Sequence, residues 1–331
     1  MSIPRLFAFR PEDKAVNKTL KYVLGRLLFL VPIMLILSFF VFALTFLSPS
    51  DPVTLKYSRM GEIPDPALIE QAKEEMGLND PFLVQYGRWL KNAVHGDLGE
   101  SFKTGKPVWE TMAARIPNTL KLTGATLLLT VLFAVPLGIL SAVNQNRFID
   151  YLIRLISFFG VSMPSFWVGF LLMYLFGVKL KLLPVVGSGD FRHLILPALA
   201  LAFWMVSLYI RRVRGSMLEE MNKDYLNGGL ARGLTKRKII FSQILPNSLL
   251  SVITMFGMSV GSLMGGATIV ETIFEWKGVG KMAVDAISLK DFPVIQCYIL
   301  WMAVIYVVVN LAVDLLYRFL DPRIRLEGGH K

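Results

Sequence analysis

Six long apolar segments without a charged residue are the feature that most constrains how this chain can fold. A helix crosses the hydrocarbon core of a bilayer with about 20 apolar residues, and the fourth segment, at 17 residues, is the shortest of the six. Charged residues make up 18% of the chain, against about 25% in soluble domains. The pattern predicts an all-α integral membrane protein with six transmembrane helices, at residues 27–47, 122–143, 155–178, 194–210, 248–270 and 292–313.

Lysine and arginine are concentrated on one side of these segments. Residues 1–26 carry six of them, residues 211–238 carry eight, and residues 318–331 carry four. Because cytoplasmic loops of membrane proteins hold an excess of these residues, both termini and the loop 211–247 are predicted to face the cytoplasm. The same asymmetry accounts for the net charge of +11 without nucleic acid as a partner.

The predicted spans divide the chain into five parts. They are a cytoplasmic N-terminal tail at 1–26, the first transmembrane helix at 27–47, an external helical subdomain at 48–118, a five-helix core at 119–317 that includes the loop 211–247, and a cytoplasmic tail at 318–331. In the external part, Asp65 predicts a helix start and Gly77 its end, a second helix follows Asp80, and Pro107 opens a third. We interpret this subdomain as a folded cap that also suits docking of an external partner.

Ionisable residues are almost absent from the six segments. Glu271, just beyond the fifth segment, is predicted to be solvated, and Asp314 is predicted to pair with Arg318 four residues later. An ion-coupled secondary carrier usually places ionisable groups inside its spans, so that class is kept only as a remote alternative. Uphill transport by this chain would then need an energy source outside it.

Glycines repeat every four residues along the fifth segment, at Gly257, Gly261 and Gly265. This spacing of small residues lets membrane helices approach closely, and we predict a helix-packing face there. Residues 257–261 also match G-x-S-x-G, but a nucleophile elbow needs a strand–turn–helix context and a histidine partner. The three histidines of the chain offer neither that partner nor a metal-ligand spacing. An intramembrane hydrolase is therefore a weak alternative, and neither a catalytic nor a metal site is predicted.

The loop 211–247 has the signals of two short helices joined by a turn. Asp224 is predicted to cap the first helix, and Gly233 to end it in the left-handed conformation. Thr235 is predicted to cap the second helix, and Pro246 to interrupt the chain before the fifth span. A short exposed helix of this kind suits insertion into a groove of a partner.

This loop resembles the EAA loop of ABC-importer permeases, which contains the coupling helix that docks on the ATPase subunit. The residues that carry the resemblance, and to which it assigns the coupling role, are Asp224, Tyr225, Leu226, Ala231, Arg232, Gly233 and Leu234. Residues 227–229, Asn-Gly-Gly, depart from the pattern, because the family has Glu-Ala-Ala or a similar trio there. The two glycines are expected to weaken the helix by roughly 1 kcal/mol each relative to alanine.

Other motifs extend the resemblance over most of the chain. They are Gly-Val-Ser-Met-Pro-Ser-Phe-Trp at 160–167, His-Leu-Ile-Leu-Pro-Ala at 193–198, the run from Ile-Val-Glu-Thr to Gly-Val-Gly at 269–280, Asp-Phe-Pro-Val-Ile-Gln at 291–296 and Asp-Pro-Arg-Ile-Arg at 321–325. Together they resemble the B-type permease of the dipeptide, oligopeptide and nickel importers. Residues 50–90 and 293–297 look most like the nickel branch.

The resemblance implies the fold of type I ABC-importer permeases and a place in the bacterial cytoplasmic (inner) membrane. It implies four kinds of partner: a homologous second permease, two cytoplasmic ATPase subunits, an external substrate-binding protein and membrane lipid. The chain is then a pore subunit rather than an enzyme and holds no cofactor, since ATP and magnesium bind to the partner ATPases. The implied cargo is nickel, free or chelated, or small peptides, with a metallophore as a further alternative. For the translocation pathway we single out Ser162, Met163 and Met264.

Overall fold

The computed structural model describes residues 13–47, 53–54 and 65–320. Helices account for most of that part, and its only β-bridge joins Glu100 to Pro107. The all-α fold class expected from the sequence is therefore confirmed.

The N-terminal third holds a long helix followed by shorter ones. They are α1 at Asp13–Phe46, α2 at Pro66–Glu75, α3 at Phe82–Val94 and α4 at Val108–Ala113. Their boundaries follow the predicted signals, since Asp65 accepts a hydrogen bond from the Ala67 amide, Gly77 has a φ of +63°, and Pro107 precedes α4. Residues 13–26, expected to be a tail, instead form the start of α1.

The remaining helices build the core. They are α5 at Ile116–Val143, α6 at Phe148–Ser162, α7 at Ser165–Leu172, α8 at Phe191–Met221, α9 at Tyr225–Ala231, α10 at Lys236–Ile239, α11 at Leu245–Ile273, α12 at Val279–Leu289 and α13 at Phe292–Leu320. π-Helical turns at Met173–Lys179 and Ile240–Ile244 continue α7 and α10.

The two ends of the loop 211–247 are helical in the structure. Residues 211–221 belong to α8, which continues well beyond the apolar segment that defined the span. Pro246 does not interrupt the chain, because it lies in the first turn of α11. Proline is well tolerated in that position, since the first amides of a helix have no partner within it.

Four helical stretches in the described part are long and apolar enough to cross a membrane. They are Lys21–Phe46, Val108–Val143, Phe191–Met221 and Phe292–Leu315. The pair α6 and α7 adds a fifth crossing if the two are counted as one bent span. The segment 248–270 lies within α11, and the total of six spans stays a prediction.

The predicted third span, 155–178, is not one straight helix. α6 ends at Ser162, α7 begins at Ser165, and the two are bent by 103°. Proline disfavours helical geometry in the residue before it, and Met163, which precedes Pro164, is extended with φ −90° and ψ 128°. The apolar segment therefore holds two helices joined at a bend, and its crossing of the membrane as one bent span stays a prediction.

α8 lies at the centre of the molecule. In α8, 56% of the most apolar stretch is buried inside the chain, against 11% in α1. Small residues bring its neighbours close: a Cβ added at Gly138 of α5 would lie 2.6 Å from the Cβ of Val213, and one at Gly160 of α6 would overlap Ser207. Such close packing holds helices together in lipid, where burial of apolar surface contributes little.

α1 lies at the periphery and contacts α3 and α13. The ring of Phe42 in α1 lies 5.7 Å from that of Phe82 and 5.9 Å from that of Trp89, both in α3. Tyr22 donates a hydrogen bond of 2.6 Å to Asp314 of α13, and Arg26 donates one of 2.9 Å. Asp314 is thus held by α1, while the side chain of its predicted partner, residue 318, lies outside the described residues.

Candidate functional site

A short helix that ends in a glycine turn follows α8. α9 ends at Ala231, and Gly233 has a φ of +78°. The Gly233 amide donates to the carbonyl of Leu230 at 2.9 Å, and the Leu234 amide donates to that of Gly229 at 3.2 Å. These two bonds form a Schellman motif, in which a left-handed glycine closes a helix. Gly233 therefore has the conformation that the sequence predicts, and its role in coupling stays a prediction.

The second short helix, α10, starts as predicted at Thr235. The Thr235 hydroxyl accepts a hydrogen bond of 3.4 Å from the Lys238 amide. Lys236, Arg237 and Lys238 are all exposed. Cations in the first turn of a helix face the positive end of its dipole, so they do not stabilise α10. They make the start of α10 a basic surface within the connection from α8 to α11 (residues 222–244).

Two features of α9 differ from expectation. Asp224 occupies the cap position, but its carboxylate makes no capping hydrogen bond. Gly229 is buried, and a Cβ there would lie 2.9 Å from Cδ1 of Ile239, which is itself fully buried. The Asn-Gly-Gly departure at 227–229 therefore lets α9 lie closely against α10.

The other residues assigned to coupling fall on two sides of the connection. Leu226 and Leu234 pack against the main apolar core, whereas Ala231 and Arg232 are exposed. The side chain of Tyr225 lies outside the described residues. The connection is thus anchored on its apolar side and presents its other side outward.

A buried ion pair joins α8 to the start of α6. Asp150 is fully buried, and Arg214 donates to both of its carboxylate oxygens, at 2.7 and 2.8 Å. Ser141 and the Asn146 amide complete its shell at 2.6 and 2.9 Å. The sequence analysis missed this pair, because its members are 64 residues apart and neither lies in an apolar segment.

The glycine stripe of α11 faces α13. A Cβ at Gly257 would overlap the side chain of Val313, whereas one at Gly261 would lie 3.5 Å from Tyr306, an ordinary contact distance. The surroundings of Gly265 lie outside the described residues. Of the two positions whose surroundings are described, Gly257 is the one that requires glycine for close packing.

A cavity of about 400 Å³ lies at the bend between α6 and α7. Two of the predicted pathway residues, Ser162 and Met163, line it. Met264 does not, because it is buried beside Val108 and Met282 in a separate apolar cluster. The other lining residues are Val161, Pro164, Ser165, Leu201, Trp204 and Leu263.

Glu271 is the clearest error of the sequence analysis. It was expected to be solvated, but it is fully buried at the end of α11. Its carboxylate accepts hydrogen bonds from the Thr119 hydroxyl at 2.7 Å and the Lys281 amide at 2.9 Å. Gly278 lies so close that a Cβ there would overlap the carboxylate. The Thr119 hydroxyl of α5 and the Lys281 amide in the first turn of α12 therefore hold this carboxyl group, in a position that suits the positive end of a helix.

A second buried carboxylate, Asp291, lies just beyond the other end of α12. It accepts hydrogen bonds from the Ser101 hydroxyl at 2.6 Å and from the amides of Phe102 and Lys103 at 3.0 and 3.1 Å. These bonds fix the loop after α3 to the start of α13. α12 is thus held at both ends by buried carboxylates.

Comparison with protein families identifies the chain. The family described as the binding-protein-dependent transport system inner membrane component matches residues 134–326, which is more than half of the chain. The family of N-terminal parts of such membrane components matches residues 19–123. The chain belongs to the family of binding-protein-dependent transport permeases. The permease is accordingly an integral inner-membrane component of such a transport system.

Several named permeases are similar over nearly the whole chain. The dipeptide transport system permease protein DppB of Alkalihalophilus pseudofirmus is 36% identical, over 92% of this chain and 99% of its own. The probable D,D-dipeptide permease DdpB of Escherichia coli K12 is 38% identical over 87% and 92%. The glutathione permease GsiC of the same strain is 36% identical over 92% and 99%. These relatives do not single out the nickel branch.

Solved structures agree on the fold. The permease resembles a chain of the MetNI methionine ABC transporter in an inward-facing conformation, with a TM-score of 0.54 over 64% of this chain and 96% of that one. Sequence identity is 15%, so the likeness concerns the fold alone. The expected fold of type I ABC-importer permeases is confirmed.

Proposed function

We propose that the permease forms one half of the translocation pore of an ATP-driven importer and that its cargo is a small peptide. Relatives named for dipeptide, D,D-dipeptide and glutathione transport are 36–38% identical over 87–92% of this chain. They favour a peptide over the nickel that the sequence motifs favoured. Nickel and a metallophore therefore rank behind peptides as cargo.

The observation that carries the proposed mechanism is the capped turn from α9 to α10. Its apolar residues Leu226 and Leu234 hold it to the core, while Ala231 and Arg232 are exposed on its other side. Short helices are well suited to dock in a groove of another protein. We infer that this turn docks on an ATPase subunit. Because α8 leads into the connection and α11 leads out of it, movement of the docked ATPase passes directly into two long helices.

The proposal includes the partners and the orientation. A homologous second permease completes the pore, two ATPase subunits bind ATP and magnesium in the cytoplasm, and an external binding protein delivers the peptide. The permease itself then performs no catalysis. The excess of lysine and arginine in residues 1–26 and 211–238 supports cytoplasmic termini and a cytoplasmic α9–α10 turn.

Buried carboxylates bear on the remote alternative of an ion-coupled carrier. The structure places Asp150, Glu271 and Asp291 in the interior, where such a carrier needs ionisable groups. Asp150 is neutralised by Arg214, and the other two accept hydrogen bonds from hydroxyl and amide groups. Carboxylates occupied in this way favour a structural role over ion coupling.

Energy coupling is tested with the reconstituted importer. The permease, its partner permease, the ATPases and the binding protein are placed in liposomes, and uptake of a labelled dipeptide is measured with active or hydrolysis-deficient ATPase. We expect uptake to require ATP and an active ATPase. Uptake that persists with the inactive ATPase and follows a proton gradient would identify a secondary carrier instead.

Orientation is tested by cysteine labelling in intact cells. The native Cys297 is buried, so a membrane-impermeant reagent reports on introduced cysteines. We expect Lys106→Cys to be labelled in intact cells and Lys236→Cys only after permeabilisation, since both positions are exposed on opposite sides of the proposed topology. Labelling of Lys236→Cys in intact cells would contradict the topology.

A further inference from the structure

We propose that the cavity at the bend between α6 and α7 receives an apolar side chain of the transported peptide. This inference rests on the proposed function and adds to it the chemistry of the cargo. It assigns to this chain a share in selecting the cargo, separate from any selection by the binding protein.

The cavity exists because of the bend. Pro164 forces the chain to leave α6 and to start α7 at an angle of 103°, so the two helices leave a recess between them. Leu201 and Trp204 of α8 and Leu263 of α11 close that recess. A volume of about 400 Å³ lies near the lower end of the range of about 300–1,000 Å³ for small-molecule sites.

The lining determines which part of a peptide can enter. It contains no charged side chain, and its polar side chains besides Trp204 are Ser162 and Ser165. The Ser162 hydroxyl already donates to the carbonyl of Phe158 at 2.9 Å. A charged amino or carboxyl terminus in the cavity would lose part of its hydration without gaining an opposite charge. An apolar side chain enters instead, and the charged termini remain outside.

Two residues allow this cavity to accept apolar side chains of different shapes. The Trp204 side chain is 38% exposed, so part of the indole is available to contact a cargo ring or methyl group. Met163 contributes a flexible, polarisable thioether that adapts to side chains of different shape. The lining holds no histidine, cysteine, aspartate or glutamate, which are the side chains that bind nickel.

The experiment uses the complete importer in liposomes and two labelled probes, phenylalanyl-alanine and glycyl-glycine. Trp204→Ala removes the aromatic wall, and Ser162→Leu fills the cavity from the end of α6. Trp109→Ala is the matched control, because Trp109 lies on α4 away from the cavity and is 50% exposed. The binding protein and the ATPases are the same in all samples, so a change in the ratio of the two uptake rates comes from this chain.

We expect both cavity variants to lower the uptake ratio of phenylalanyl-alanine to glycyl-glycine by about three- to tenfold, the effect of losing one aromatic contact. The control should keep the wild-type ratio. An unchanged ratio in both variants, as when only a lipid chain occupies the cavity, would overturn the inference, and so would an equal fall of both rates. Absence of ATP-dependent uptake of either dipeptide by the wild type would contradict the proposed function itself.

Discussion

The carboxylates at the two ends of α12 and the one at the start of α6 are all buried, but they are held in different ways. Glu271 and Asp291 accept hydrogen bonds from hydroxyl groups and backbone amides. Asp150 instead accepts two of its hydrogen bonds from the side chain of Arg214. Backbone amides move only with the chain, so the first two carboxylates fix loops in one geometry. The third also accepts from the Asn146 amide, but it joins α6 to α8 through the side chain of Arg214.

The difference teaches what each region is built to do. In the proposed orientation, Glu271 and Asp291 lie at the external mouth, where they make α12 and the loop after α3 a fixed frame. Asp150 and Arg214 lie towards the cytoplasm, where α8 leads to α9. In the proposed mechanism, their ion pair makes the α5–α6 turn follow α8 when a docked ATPase moves that helix. An ion pair thus holds the contact between α6 and α8, which we call the joint. Neutral donors hold α12 and the loop after α3, which we call the frame.

The largest effect is expected when Asp150 loses its cation. Arg214→Met leaves a fully buried carboxylate without its ion-pair partner, a change that typically costs about 3–5 kcal/mol. We expect a marked fall in the thermal unfolding temperature of the purified importer and in the amount of permease in the membrane.

Two further variants sharpen that prediction. Arg211→Met is the matched control, because Arg211 is exposed on the same helix, and its stability should stay close to wild type. Adding Asp150→Asn to Arg214→Met removes the buried charge altogether and should restore much of the lost stability. If Arg214→Met proved as stable as Arg211→Met, the ion pair would not be the joint described here.

An intermediate effect is expected at Glu271. Glu271→Ala leaves the Thr119 hydroxyl and the Lys281 amide without their acceptor, at about 1–3 kcal/mol, because both groups are neutral and no unpaired charge stays buried. The first turn of α12 should then exchange its amide hydrogens faster, as measured by mass spectrometry. Glu275→Gln is the control, because its side chain is 58% exposed and surface ion pairs contribute at most about 1 kcal/mol. Equal amide exchange in the two variants would contradict the claim that Glu271 fixes the first turn of α12.

The smallest effect is expected at Ser101. Ser101→Ala removes one donor to Asp291 and the acceptor of the Thr104 amide, but keeps the amides of Phe102 and Lys103 as donors, so the cost is about 1–2 kcal/mol. Faster hydrogen exchange should be confined to residues 101–107. Ser288→Ala, whose hydroxyl bonds only within its own helix, should leave that loop unchanged. A loss of stability in Ser101→Ala as large as that in Arg214→Met would contradict the proposed difference between the frame and the joint.

The sequence predicted those features that depend on a few neighbouring residues. Asp65 at the start of α2, Gly77 beyond its end, Gly233 after α9 and Thr235 before α10 all act within about four positions of the chain. The apolar segments also gave the correct fold class, because bilayer thickness fixes the length of a spanning helix. Pro164 is an equally local signal for a break in the helix. The apolar length of 155–178 nevertheless led to its prediction as a single transmembrane helix.

The carboxylate sites were not predictable in the same way. Thr119 lies 152 residues from Glu271, and Asp291 lies 190 residues from Ser101. No local pattern marks such pairs, so Glu271 at the end of an apolar segment looked like an ordinary solvated residue. The cavity likewise needs three separate parts of the chain. Of its lining residues, the sequence singled out only Ser162 and Met163.

Docking of the α9–α10 turn on the ATPase is tested most directly at Gly233. No atom lies within 4 Å of a Cβ built there, so a side chain meets no obstacle within this chain, and the strain comes from the φ of +78°. That conformation costs about 1 kcal/mol or more for a residue other than glycine. Gly228→Ala is the matched control, because Gly228 is equally open but lies inside α9.

The measurement is the amount of ATPase that co-purifies with each permease variant, normalised to permease in the membrane. We predict that Gly233→Val keeps normal membrane abundance and loses several-fold in bound ATPase, that Gly233→Asn, which tolerates the left-handed conformation, loses less, and that Gly228→Ala binds like wild type. Wild-type recovery of ATPase by Gly233→Val at normal abundance would contradict the proposal that this turn is the docking element.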